Sequence, residues 1–200
     1  WAEQEARDRH SRLTELLARV SREANEGEDL EAVLRRIVDC LVERMPVAIA
    51  SIVILNEACT HFVHEVWAGE LTLNVLQPAD DWPVSKGAAG RCVRTGVAQL
   101  IADVDRDPDY LAGNNEVRSE YLVPIRHRGR LHGVLNIEST QSDFFTADAC
   151  EVFDAIAAQV AGTIHLARVV RELETANRKL QALSMQDGLT GIANRRQFDA

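Results

Sequence analysis

The sequence predicts an α+β fold, an antiparallel sheet flanked by helices with a long C-terminal helix. Three observations carry this. Apolar, strand-like runs at residues 47–55 and 60–67 are joined by the short turn Asn56-Glu57-Ala58. Two further runs, 121–126 and 131–138, flank His127-Arg128-Gly129-Arg130, which suits a hairpin. From Thr146 to Met185 there is no proline and Gly162 is the only glycine, so one helix of roughly 40 residues is expected.

The other elements follow in order. Residues 1–25 are charged, with Leu13, Leu17, Val20 and Ala24 at helical spacing, and Asn25-Glu26-Gly27 breaks that helix. Asp29 is an acidic start for a second helix whose apolar face is Leu30, Val33, Leu34, Ile37, Val38 and Leu41. Pro46 must end it. After the first strand pair, residues 68–86 read as loop, with Pro78, Asp80-Asp81 and Pro83. Residues 87–95 form a short helix closed by Gly96 as a left-handed cap. Residues 99–102 make a short strand, and 103–115 a polar loop around Pro108. The final helix would be about 60 Å long at about 1.5 Å per residue. That outruns a domain of this size, so its second half is expected to extend beyond it.

Composition narrows the function classes. Of 200 residues, 46% are hydrophobic, enough for a buried core, and the formal net charge is −9. That field repels phosphate backbones and anionic lipid, and the basic residues are interspersed with acids, so no nucleic-acid partner is expected. The longest apolar stretch, 47–55, is far short of the ~20 residues that span a bilayer, so no membrane insertion is expected. Cys40, Cys59, Cys92 and Cys150 are widely spaced without a C-x-x-C pair, and Cys40 and Cys150 fall on apolar helix faces. A reducing, cytoplasmic setting is expected. A chain opening at Trp1 without methionine is expected to be cut from a longer one.

The motifs carry a resemblance. Val84-Ser85-Lys86-Gly87-Ala88-Ala89-Gly90-Arg91-Cys92-Val93 followed by Thr95-Gly96, the loop Asp103-Val104-Asp105-Arg106-Asp107-Pro108-Asp109-Tyr110, the run Ser119-Glu120-Tyr121-Leu122-Val123-Pro124-Ile125, and Gly129 with Gly133-Val134-Leu135-Asn136-Ile137-Glu138-Ser139 occur in the order of a GAF domain. The chain resembles that family over roughly residues 28–165. Asp187-Gly188-Leu189-Thr190-Gly191-Ile192-Ala193-Asn194-Arg195-Arg196 is similar to the D-x-L-T-G-L-x-N-R-R opening of GGDEF domains, with Ile192 as a departure. Asp187, Leu189, Thr190, Gly191, Asn194 and Arg195 carry that likeness. It implies a diguanylate cyclase, which makes cyclic di-GMP from GTP, beginning at the end of this chain. The family's metal-binding aspartates and G-G-[DE]-E-F loop would lie beyond Ala200, so no catalytic residue is assigned here. The implied division is an N-terminal helix (1–27), a GAF-like sensory domain (28–165), a coiled-coil linker helix (166–186) and the start of a GGDEF domain (187–200).

The linker has its own pattern. Leu166, Val170, Leu173, Asn177, Leu180 and Ser184 alternate four and three apart, the a/d spacing of a two-stranded coiled coil with Asn177 at an a position. Glu174 and Arg178 are i,i+4 partners outside that seam. The alternative is an amphipathic helix packed on its own domain. The resemblance favours a homodimer, because diguanylate cyclases join two GTP molecules held by facing domains. The stripe Leu13, Leu17, Val20 and Ala24 would widen the dimer into a four-helix bundle. The expected partners are a second copy of the chain, through its N- and C-terminal helices, and its own GGDEF domain.

GAF-like domains often hold a small molecule, which the sequence does not identify. Asn136 and Glu138 alternate with Leu135 and Ile137 and so share a face, with Glu120 on the adjacent strand. Facing inward, the three would line an acidic recess suited to an amine or guanidine. At strand ends they would lie in water or cap backbone. Trp67, Trp82 and Tyr110 stand in or beside the covering loops, as stacking surfaces or as lid packing. His61 and His64, three apart on a strand, would face oppositely, and no metal is expected.

Two further readings compete with the sensor. One is a ligand-free dimerisation module attached to a degenerate GGDEF domain. The other is a GAF-type free methionine sulfoxide reductase, similar around 87–90 and 119–125. Its reactive cysteines would fall near Ala89 and in the loop before Ser119. Those places hold Ala89 and Gly113-Asn114-Asn115-Glu116-Val117-Arg118, and Cys92 lies one helical turn away.

Overall fold

The computed structural model describes residues 15, 18–20, 29–71 and 82–184. Most of the N-terminal helix (1–27) and all of the GGDEF-like motif (187–196) lie outside these. The chain divides into two compact units, Trp1–Ile164 and His165–Ala200.

In the first unit, helix α1 spans Leu30–Arg44, and the Asp29 side chain accepts the Ala32 N–H at 3.3 Å. Glu31 in its first turn and Arg44 in its last both complement the helix dipole. Strands β1 (Ile49–Leu55) and β2 (His61–Gly69) form the first antiparallel pair. β1 starts two residues later than the sequence suggests. Ala48 stands just outside the ladder, donating its N–H to the Glu138 carbonyl at 2.8 Å and accepting from the Glu70 N–H.

β3 (Trp82–Pro83) is a short strand within the segment read as loop. It pairs with the outer side of β2 as a sheet edge, where a proline without an N–H is tolerated. Helix α2 (Gly87–Thr95) ends at Gly96, whose φ of 65° is the expected left-handed cap. β4 (Gln99–Ile101) and a 3₁₀ turn (Val104–Arg106) follow. β5 (Ser119–His127) and β6 (Arg130–Ser139) form the closing hairpin, and Arg128 and Gly129 both have positive φ, as a two-residue type I′ turn requires. Helix α3 spans Ala147–Ser184. The result is an antiparallel six-stranded sheet in the order β3-β2-β1-β6-β5-β4.

Period-two alternation gives the sheet two apolar faces. Ala50, Ile52, Tyr121, Val123, Leu135 and Ile137 meet α1 and the first half of α3. That half presents Phe153, Ile156, Ala157, Val160 and Ile164 at helical spacing, all with at most 1% exposure. Each large side chain so buried contributes about 1.5–3 kcal/mol. Val20 joins this core. Ile49, Val53, Leu122 and Val134 face the other way, toward α2, where they meet Ala88, Cys92 and Val93.

A bulge between Ile54 and Leu55 interrupts the β1–β2 register, pairing Ile54 with His64 and Leu55 with Phe62. It turns Phe62 to the α2 side. It falls between His61 and His64, so simple alternation does not relate their faces; His64 lies 4.0 Å from Glu31 of α1. Among the described residues no cluster of His, Cys, Asp and Glu could hold a metal ion. No helix among them is long and apolar enough to cross a membrane.

In the second unit, residues 165–184 are helical, and Leu166, Val170, Leu173 and Leu180 are all exposed, Leu173 at 69%. Arg178 Nε donates to the Glu174 backbone carbonyl at 3.4 Å, a side-chain-to-backbone bond that differs from the expected side-chain pair.

Candidate functional site

The α2 side of the sheet encloses a cavity of about 60 Å³. Its floor is polar where a sheet interior is normally apolar. Ladder register explains why: Glu120 on β5 stands directly across from Glu138 on β6, and Ser51 on β1 across from Asn136 on β6. On β2, Glu65 stands across from Val53 of β1. Glu65, Glu120, Asn136 and Glu138 all line the cavity. Glu120 is 6% exposed and Glu138 4%, so neither lies at a solvated strand end.

The roof comes from α2 and the loop after β4. Gly87, Ala88 and Ala89 line the cavity together with Leu111 and Gly113. Gly87 has φ of +76°, and a Cβ there would stand 3.0 Å from Leu111 Cδ1. A side chain at this position would therefore be strained and would push the loop outward. Trp82 closes one side and packs its ring 5.0 Å from that of Phe62.

The carboxylates of Glu120 and Glu138 are poorly compensated. Asn136 Nδ2 donates to Glu138 Oε1 at 2.8 Å. Glu120 Oε2, Glu138 Oε2 and Asn136 Oδ1 are buried without a hydrogen-bond partner, as are Ser51 Oγ, Trp82 Nε1 and Tyr110 OH. Burial pushes the Glu138 carboxyl up to about 7; the Asn136 bond works against this and the charge of Glu65 adds to it. Burial, then Glu138 and Asp107, hold the Glu120 carboxyl well above the usual range despite Arg91. Burial and the fields of Glu138 and Glu120 also raise the Tyr110 phenol.

Arg91 secures the roof. Its guanidinium donates to both carboxylate oxygens of Asp107, at 2.6 and 3.0 Å, to Asp109 Oδ2 at 2.9 Å and to Gln99 Oε1 at 2.9 Å. These bonds tie α2 to the loop and hold the Asp107 carboxyl below its ordinary value. Arg91→Ala is expected to cost about 1–2 kcal/mol, discounted from the 1.5–3 of buried charged hydrogen bonds because the cluster is part-exposed. Thermal melting reads that loss, and limited proteolysis should show earlier cleavage within 103–118. Unchanged cleavage would mean that the loop is held by its apolar contacts.

Of the residues singled out from sequence, Trp82, Glu120, Asn136 and Glu138 come together on the cavity. Tyr110 is half-buried beside it, within the field of Glu120 and Glu138. Trp67 is part-buried against the apolar cluster of this face and does not line the cavity. Glu65 and Arg91 were not singled out. A lone glutamate amid Val63, Val66 and Trp67 was the available signal for the first; the second depends on contacts across 16 and 18 residues. Cys92 is wholly buried, with its Sγ 3.8 Å from the Leu122 carbonyl and its thiol pushed up to about 12 by burial. Among the described residues no cysteine lines the cavity.

The family model described as GAF domain matches residues 27–165. Protein YtsP of Bacillus subtilis (strain 168) is 33% identical over 63 residues, covering 32% of this chain and 39% of that protein. The chain thus spans well under half the length of this curated relative. The free methionine-R-sulfoxide reductase of Neisseria meningitidis, solved with its substrate, superposes with a TM-score of 0.71 at 21% identity, over 81% of this chain and 93% of that one. The GAF domain of a phosphoenolpyruvate-protein phosphotransferase from Coxiella burnetii gives 0.71 at 22% identity, over 82% and 98%. At these identities the structural likeness is one of fold.

Proposed function

The chain belongs to the GAF domain family, and from that premise we propose that it is the sensory module of a bacterial signalling protein, controlling a C-terminal diguanylate cyclase through a dimeric helical linker. The observation that carries the sensory part is the cavity of the first unit, whose floor leaves buried carboxylate oxygens without partners. A core built only for stability has no use for them, because each costs free energy that a ligand would recover.

The output part rests on sequence. The ten residues 187–196 are similar to a GGDEF opening and follow directly on the helical segment. The row Leu166, Val170, Leu173 and Leu180, exposed in the single chain, supports a linker that pairs with a second copy. Two facing cyclase domains need such a pairing, and a marginal seam interrupted by Asn177 lets a small ligand-derived bias shift its population.

The test is to supply GTP to the parent protein and measure cyclic di-GMP. Synthesis that changes several-fold when the cavity is filled by Ala89→Leu is the expected result. A parent that makes none would remove the cyclase assignment. Synthesis indifferent to the cavity would leave a dimerisation module only. The reductase alternative finds no support in the cavity, since the nearest thiol of α2, Cys92, is buried and held protonated.

A further inference from the structure

We propose that the cavity of the first unit binds a small organic cation, an ammonium or guanidinium on a body of a few heavy atoms. The assignment rests on the sensory reading above and names the chemistry of its signal.

Charge comes first. Glu120 and Glu138, each with a buried oxygen that has no hydrogen-bond partner, line one cavity, and no basic side chain among the described residues lines it with them. The arginine whose charge acts on Glu120, Arg91, is already committed to Asp107 and Asp109. The N-terminus of α2 contributes only about half a positive charge. An anion would meet this floor uncompensated, and a neutral molecule would leave its field unrelieved.

Hydrogen bonding points the same way. Once ionised, Glu120 and Glu138 present Oε2 atoms that, like Asn136 Oδ1, are buried acceptors without a hydrogen-bond partner. An ammonium offers three N–H donors and no acceptor, and a guanidinium offers more in a plane. Trp82, on the cavity wall, adds an aromatic surface of the kind cations favour. A volume of about 60 Å³ corresponds to about four water positions, so the occupant is compact.

Binding must also displace protons. Glu138 sits near 7 and faces Glu65 and Asn136, while Glu120 faces Glu138, Asp107, Arg91 and Asn136. Only the ionised carboxylates attract a cation, so affinity should rise with pH through about 7.

The experiment is calorimetric titration of the chain at pH 8 with methylammonium, propylammonium and guanidinium chlorides, with sodium propionate and 1-propanol as controls. Saturable one-to-one binding of at least one cation is expected, absent for both controls. It should weaken at least tenfold in the Glu120→Gln/Glu138→Gln variant and release protons to the buffer at pH 7. Silence from all three cations, preference for propionate or propanol, or affinity unchanged in the variant would each overturn the assignment. The sensory reading fails on a different result, parent output indifferent to Ala89→Leu, so the two failures are distinguishable.

Discussion

Exchanging both Glu120 and Glu138 for glutamine is expected to raise the melting temperature at pH 8 by roughly 6–12 °C and to leave it nearly unchanged at pH 4. The Glu138 carboxyl is raised from 4.5 to about 7 in the folded chain. Between those values the folded state keeps a proton that the unfolded state has released. The Glu138 contribution to stability therefore falls as pH rises through this window and levels off above about 7. The loss from Glu138 alone is about 3 kcal/mol, and Glu120, raised in the same direction, adds to it. Glutamine resembles the protonated acid and does not titrate, so the variant keeps its low-pH stability throughout. Thermal melts of both proteins from pH 4 to pH 9 measure the difference. A variant that melts no higher at pH 8 would show that the carboxylates are compensated in the folded chain, and the cavity would lose its electrostatic distinction.

Such a gain would carry functional meaning. A sheet face that could be stabilised by two isosteric exchanges is not optimised for folding, and sites of this kind are where sequences depart from their stability optimum. The same two residues are those whose orphaned oxygens a cation would satisfy. Stability at pH 8 and cation affinity should therefore move in opposite directions across the variant, which a purely structural account of the pair does not require.

The elements were legible where local chemistry sets them. Gly87 and Gly96 bracket α2, Asp29 and Pro46 bracket α1, and Gly129 supplies the positive φ that marks the hairpin turn. The shared face of Asn136 and Glu138 followed from alternation alone. What failed needed register or tertiary contact. Glu65 reaches the cavity because β2 is aligned against β1 past a bulge, and one extra residue changes which side chains point inward. The strand at Trp82–Pro83 exists through its pairing with β2, which a segment ending in proline does not announce. The Arg91 clamp joins a helix to a loop whose aspartates belong, in sequence, only to a polar stretch around Pro108. Sequence alone left two environments open for Glu120 and Glu138; the ladder pairing of Glu120 with Glu138 buried both.

The linker supplies the other large expected effect. If residues 166–184 pair with a second copy, Leu166, Leu173 and Leu180 occupy d positions, and Val170 and Asn177 occupy a positions. Leu173 is 69% exposed in the single chain, so Leu173→Glu should leave the melting of the first unit within about 0.5 kcal/mol of its original stability. In a dimer the same change removes two buried leucines, worth about 1.5–3 kcal/mol each, and sets two like charges against one another. The dimer should weaken roughly 100-fold or more. Asn177→Leu should act oppositely, because a polar a position fixes register at a cost in stability, and its removal tightens pairing while freeing the register. Sedimentation equilibrium across a concentration series reads both shifts. A wild-type chain that remains monomeric at high concentration, or three proteins that sediment alike, would refute pairing through this helix. If the shifts occur as expected, and if the chain controls a cyclase as proposed above, cyclic di-GMP output should fall with Leu173→Glu and lose its response to the cavity with Asn177→Leu. A coupled linker must transmit both its assembly and its register.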